Sequence, residues 1–160
     1  MSPSATGLWD WAVKTYARPE AEALCLSLQD EHGQCVSYLL WAAWAQGRGR
    51  AIDEDALAAA ADLARHWETA VLRPLRSIRR ALKDPGEGVP IAAQKSLRLR
   101  IMTEELAAER LLLEALEAHT PAGAGAAGDL DQALSAAVAA WGGNPPSALI
   151  EALGRAFSIA

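Results

Sequence analysis

Residues 35–47, CVSYLLWAAWAQG, restrict the possible folds of this chain more than any other segment. Drawn as a helix at about 100° per residue, they carry apolar side chains on nearly every side. Such a helix has no face to offer water, so other helices have to enclose it. Its longest apolar stretch, Tyr38 to Ala45, falls far short of the roughly 20 residues that span a bilayer. Ala and Leu dominate elsewhere and β-branched residues are few, which favours helices over strands. A chain of 160 residues can also bury a sizeable core. The expectation is an all-α, single-domain bundle of about five to seven helices, with residues 34–46 at its centre.

Local signals divide the rest. Thr6 or Ser4 can cap a first helix carrying Leu8, Trp9, Trp11 and Tyr16. It should stop near Arg18, because Pro19 pushes its predecessor out of the helical region. Pro19 then suits the first turn of a second helix, where its missing N–H costs nothing, and Gly33 suits the end. Asp53 reads as a cap, with Ile52 and Leu57 spaced for a hydrophobic staple. Pro74 interrupts the helix that follows: either one helix kinks near Val71 or a second begins at about Arg73. Pro90 opens the longest helix, which reaches about His119. Its apolar side is expected to include Ile91, Leu99, Met102, Leu106, Leu113 and Leu116. Residues 120–128, TPAGAGAAG, have the composition of a flexible linker. The predicted organisation is a helical bundle over residues 1–119, that linker, and an Ala-rich helical tail over 129–160 with apolar residues suited to docking.

Between Val71 and Lys83 the chain carries five cations and no anion: Arg73, Arg76, Arg79, Arg80 and Lys83. On a helix these share one arc, while Val71, Leu75, Ile78 and Leu82 share another about 130° away. The apolar arc is expected to fix the helix to the bundle and the basic arc to meet an anion. From Val71 to Arg100 eight cations face two carboxylates, a net of +6. In a chain of net charge −5 this leaves −11 for the remainder. Such asymmetry orients an approaching partner, whereas the acidic overall balance argues against a general nucleic-acid binder. The planar fork of arginine makes paired bonds to carboxylate or phosphate, so the segment suits an acidic protein surface or a phosphorylated ligand. The chain's own acids, among them Glu104, Glu105 and Glu109, are a third destination for these guanidinium groups. Peripheral contact with anionic lipid is disfavoured, because the apolar face is needed for the core.

Local signatures of catalysis are missing. The residues three before His32, His66 and His119 are Gln29, Leu63 and Leu116, so the chain has no Glu-x-x-His pair of a di-iron bundle. His-x3-His and Cys/His zinc spacings are absent as well. Asp53, Glu54 and Asp55 are adjacent and point in different directions, which suits capping better than a paired-aspartate magnesium site. Glu105-x3-Glu109 sets two carboxylates on one face, an arrangement common on exposed helices. Neither a glycine-rich phosphate loop nor a nucleophile elbow occurs. The sequence thus offers no catalytic residue, no metal ligand set and no cofactor. Cys25 and Cys35, ten residues apart in apolar helical stretches, read as two reduced core thiols of a cytoplasmic protein. Among six tryptophans, Trp9, Trp41, Trp44 and Trp67 read as core anchors whose indole N–H groups need partners. Trp11 and Trp67 are the two that a recognition surface could use through cation–π contact.

Several of these segments occur together in a known family. They are Leu8-Trp9-Asp10-Trp11-Ala12 with Tyr16, Leu28-Gln29-Asp30 with Gly33, Leu39-Leu40-Trp41, and Trp67. To these add the proline–arginine segment Val71-Leu72-Arg73-Pro74-Leu75-Arg76 with Arg79-Arg80-Ala81-Leu82-Lys83. Over roughly residues 7 to 118 the chain resembles the small proteobacterial family known as DUF2390. The resemblance implies a cytoplasmic bacterial protein with no established activity, and it assigns no catalytic residue. The tail after Gly128 lies outside it. The functional expectation is a non-enzymatic interaction or accessory protein that docks an acidic partner on Arg73, Arg76, Arg79, Arg80 and Lys83. The alternative is an enzyme or sensor that clamps a phosphorylated small molecule with the same arginines.

Overall fold

The computed structural model describes residues 6–50, 52–123, 125 and 127–158. Its helices are α1 (Leu8–Tyr16), α2 (Pro19–His32), α3 (Val36–Gly47), α4 (Glu54–Trp67), α5 (Arg73–Ala81), α6 (Ile91–Ala118), α7 (Leu130–Trp141) and α8 (Ser147–Ser158). A π-helical turn, Glu68–Leu72, joins α4 to α5 without a break. The described residues therefore form seven helical rods and no strand, an all-α bundle as expected. No helix among them is long and apolar enough to cross a membrane.

Nine consecutive residues of α3, Ser37 through Ala45, are buried, and α1, α2, α4, α6 and α7 all touch this helix. Removing each large apolar side chain from water contributes about 1.5–3 kcal/mol, which makes α3 the centre on which the bundle gathers. Buried aromatic polar groups need partners and have them. The Tyr38 hydroxyl donates to the Leu57 carbonyl at 3.1 Å, and the Trp41 indole N–H donates to Thr120 Oγ1 at 2.8 Å. Helix α7 lies on α3 and α4 while α8 lies on α2, burying Leu134, Ala137, Leu153 and Phe157. Trp141 fastens the end of α7: its ring centroid sits 5.7 Å from that of Tyr38, and its N–H donates to the Gly33 carbonyl at 2.9 Å. Gln34 answers by donating to the Gly142 carbonyl at 2.9 Å. Both cysteines are free and buried, and burial pushes each thiol up to about 12.

Helix boundaries follow local chemistry. Pro19 starts α2, and Gly33, at φ +63°, ends it in the left-handed region while Gln34 N–H donates back to the Leu28 carbonyl. Asp53 caps α4 by accepting from Ala56 N–H at 2.8 Å. The start of α1 differs from expectation. Gly7 holds the cap position without a side-chain bond, and Leu8 N–H donates to Glu117 Oε2 at 3.1 Å. Thr6 instead lends its carbonyl to Trp44 and Arg48; Ser4 lies outside the described residues. An acid at the far end of α6 satisfies the amide that a neighbouring hydroxyl was expected to satisfy.

The larger correction concerns α6. Its 28 residues run for about 42 Å at 1.5 Å per residue, more than twice the length of α3, so the bundle covers only part of it. Ala108, Leu112, Leu113 and Leu116 are buried. Ile91, Leu99, Met102 and Leu106, expected in the core, are 58%, 62%, 40% and 54% exposed. The N-terminal half of α6 extends past the core with α5 beside it, and Gln94 ties the turn between them. That side chain donates to the Leu82 and Asp84 carbonyls and accepts from Gly86 N–H. Ile78 of α5 is exposed too, although Val71 and Leu75 pack against the core. A π turn holds more residues than an α turn, so it shifts the phase of everything after Leu72. The face of α5 that turns inward is consequently that of Arg76, and Ile78 falls outside.

Leu134 of α7 is fully buried. Leu134→Ala should lower the unfolding free energy by about 2–5 kcal/mol within a single denaturant transition followed by tryptophan fluorescence. A separate tail transition, or an unmoved midpoint, would show that α7 is not part of the core.

Candidate functional site

The site begins with Pro74. It has no N–H to donate, and its ring crowds the carbonyl four residues back. The preceding π turn accommodates it, with Arg73 N–H reaching five residues back to the Glu68 carbonyl. Glu68 opens this turn and is buried, as are Arg76 on α5 and Glu105 on α6. Charges removed from water have to be paired, and these are. Arg76 Nη1 donates to Glu68 Oε1 at 2.7 Å, and Arg76 Nε lies 3.6 Å from Glu105 Oε1. Arg79 completes the row by donating to both oxygens of Glu105, at 2.5 and 3.4 Å. Burial alone would lower the Arg76 pKa; the hydrogen bond and charge of Glu68, then the charges of Glu105 and Glu109, raise it above the ordinary arginine value. Arg76 is a permanent buried cation.

Two cavities meet at this row. One, of about 350 Å³, lies between α1, α3, the π turn and α6; its walls include Trp9, Val13, Leu40, Leu72, Leu106 and Leu113. Tyr16, Gln29, Ser37, Glu68, Arg76 and Glu109 supply its polar groups. The other, of about 310 Å³, lies between the end of α2 and α5 and is polar, lined by Asp30, Gln34, Arg73, Ser77 and Arg80. Gln29, Glu68 and Arg76 line both. The two walls also carry unpartnered buried atoms, Gln34 Oε1 and Arg76 Nε. Glu109 makes no hydrogen bond or ion pair among the described residues. Burial, followed by the charges of Glu105 and Glu68, pushes its carboxyl up to about 7 against the opposing pull of Arg76 and Arg79. Burial, with nearby acids, raises the Tyr16 hydroxyl to about 12.

The five cations of the basic run thus have different surroundings. Arg76 and Arg79 point inward to Glu68 and Glu105. Arg80 reaches Asp30 at 2.9 Å in an exposed pair. Arg73, exposed, lines the polar cavity. Lys83 lies beyond the end of α5, exposed and outside every ion pair among the described residues. Trp67 donates its N–H to the Ala108 carbonyl at 2.9 Å, and Trp11 meets Phe157 edge-on with centroids 6.0 Å apart; the aromatic ring under a guanidinium near the apolar cavity is Trp9, with Arg110 5.3 Å from its centroid. Glu105 and Glu109 turn toward the cavity and its charge row, not to solvent as such pairs usually do. Sequence reasoning had no signal for Glu68. Eight residues separate it from Arg76, about 80° apart on a regular helix, and only the extra residue of the π turn brings the two into line. No group of three or more His, Cys, Asp or Glu among the described residues is placed to hold a metal ion.

The chain belongs to the DUF2390 family, described as a protein of unknown function, whose model matches residues 7–116. That span ends within α6, so α7 and α8 lie outside it. No curated protein and no solved structure matches the chain.

Removing one partner of a buried pair strands the other. Arg76→Met should therefore cost about 3–5 kcal/mol of stability, and the double variant Glu68→Leu/Arg76→Met should recover most of it. Denaturant titration would contradict this if the double variant were no more stable than the single. Glu109 binds its proton more tightly folded than unfolded, so its contribution to stability falls as pH rises from about 4.5 through about 7. Glu109→Gln removes that loss. Its Tm should exceed that of the wild type by about 3–6 °C at pH 8, a screened effect of roughly 1–2 kcal/mol, and by much less at pH 5. Equal offsets at the two pH values would refute the assignment.

Proposed function

We propose that this member of the DUF2390 family is a non-enzymatic interaction protein whose α5–α6 hairpin docks an acidic, amphipathic segment of a partner protein. One observation carries the reading: the part of α6 beyond the core exposes Ile91, Leu99, Met102 and Leu106 beside Lys95, Arg98 and Arg100. Ile91, Lys95, Leu99, Met102 and Leu106 recur at spacings of three and four, so they form one stripe about 22 Å long. Single exposed apolar residues are ordinary, whereas several on one helix face, here Leu99, Met102 and Leu106 with Ile91 beyond Lys95, mark a contact surface. None of Lys83, Lys95, Arg98 and Arg100 belongs to an ion pair among the described residues, so the stripe is flanked by charge available to a partner. Arg76, Arg79 and Arg80 are held by Glu68, Glu105 and Asp30, so the attraction for an acidic segment comes from Arg73, Lys83, Lys95, Arg98 and Arg100, and the −11 remainder turns the hairpin toward it. The same −11 opposes close approach to an anionic bilayer. We read the protein as bacterial and cytoplasmic; two free, buried thiols are in keeping with a reducing compartment.

A second reading, capture of a phosphorylated small molecule, has the support of Arg73, Arg76 and Arg80 lining one concave cavity. Asp30 and Glu68 already occupy that wall and oppose it.

Because Arg76 is buried, a test by charge reversal there would only unfold the protein. A photo-crosslinking side chain at Leu99, compared with one at exposed Glu151 of α8, avoids this. Leu99 should give a discrete partner adduct in cells that falls about tenfold or more in a Lys95→Glu/Arg98→Glu background. The same adducts at both positions, or an adduct indifferent to the charge reversal, would overturn the docking reading. Stabilisation by phosphometabolites in a thermal-shift screen would favour the second one.

A further inference from the structure

The apolar cavity between α1 and α6 has an opening, a size and a charge balance of its own. Val13 and Leu106 on its lining are half exposed, so a small molecule reaches it from solvent between those two helices. Its volume of about 350 Å³ is roughly twice that of a cavity that admits a benzene ring and within the range of ligand pockets. Trp9, Leu40, Leu72 and Leu113 make the walls apolar. Its charged groups are Glu68 of the π turn, Arg76 of α5 and Glu109 of α6, and of these Glu109 faces the cavity without a partner among the described residues.

The charged groups around that carboxyl come from each element packed there. They are Glu68 from the π turn, Arg76 and Arg79 from α5, and Glu105 from α6 itself. Tyr16 from α1 and Cys35 from the start of α3 titrate at about 12 and stay neutral near physiological pH. Three carboxylates therefore share two guanidinium groups. Glu68 and Glu105 hold both of these, at 2.7 and 2.5 Å. Once Glu109 ionises, the cluster is one positive charge short, and the vacancy faces the cavity. A monovalent cation with an apolar body would supply the charge and fill the volume. An anion would add to the excess.

We propose that this cavity binds a small hydrophobic amine, its ring or chain against Trp9, Leu72 and Leu113 and its ammonium paired with Glu109. The site is independent of partner docking by the hairpin, sharing only Leu106 at its rim. An alkyl ammonium, with a pKa near the lysine value of about 10.4, stays charged across the range in which Glu109 changes state. Discrimination against an uncharged isostere then follows the charge state of Glu109.

Calorimetric titration of the full chain with 2-phenylethylamine, 2-phenylethanol and phenylacetate tests this. At pH 8 the amine should bind about tenfold more tightly than the alcohol, equivalent to about 1.4 kcal/mol, and phenylacetate more weakly than either. Near pH 5.5, with Glu109 protonated, amine and alcohol should converge in the wild type. Glu109→Gln should show the converged behaviour at both pH values while still binding the alcohol. Equal affinities at pH 8, an amine preference that survives at pH 5.5 or in the variant, or no binding of any probe at about 10 mM would overturn the proposal. Should the variant fail to fold, the wild-type pH series decides alone.

Discussion

Glu68 and Arg76, buried at 2.7 Å from one another, set the arrangement of half the molecule. A charge in a low-dielectric interior has to be met by an opposite charge at hydrogen-bond distance, so the segment between Trp67 and Ala81 has little freedom. The π turn brings Glu68 into line with Arg76. Arg76 then draws Glu105, Glu105 draws Arg79, and the register of α5 against α6 follows. Apolar residues of equal volume would pack there as stably or better. What the charges contribute is direction, since they allow one register and place an unbalanced carboxyl on the wall of the neighbouring cavity.

The elements legible in the sequence were those whose cause is local. Pro19, Gly33, Asp53 and Pro90 act on the backbone within a few residues of themselves, and α2, α4 and α6 begin or end where those residues say. Helix α3 was legible for another reason, because a helix apolar on all sides has one kind of environment open to it. The direction of the α6 stripe was not. Which half of a long helix is covered depends on how far its neighbours extend, and no periodicity within α6 encodes the length of α3. Glu68 was hidden for the same kind of reason, since a regular helical projection cannot show a partner that an irregular turn brings round. The arginines were visible as a run, but their division between inward pairs and outward charge depends on acids eight to thirty residues away.

The same run shows why charge density alone does not mark a surface. Arg76 and Arg79 are as basic as Arg73 and Arg80 in sequence, yet they spend that charge on Glu68 and Glu105. The outward character of the hairpin comes from residues that looked like core: Ile91, Leu99, Met102 and Leu106 lie at solvent because α6 outruns its bundle. Apolar exposure and unpaired cations coincide on that half of the helix.

Enclosure of α3 by α7 has a consequence for biosynthesis. The wall that α7 supplies, anchored by Trp141 against Tyr38 and Gly33, is made about ninety residues after α3. At roughly 5–20 residues per second a nascent chain carries α3 with one flank open for about 5–20 seconds. During translation the most apolar helix of the molecule therefore stays incomplete for most of synthesis, and the core closes only when nearly the whole chain has left the ribosome.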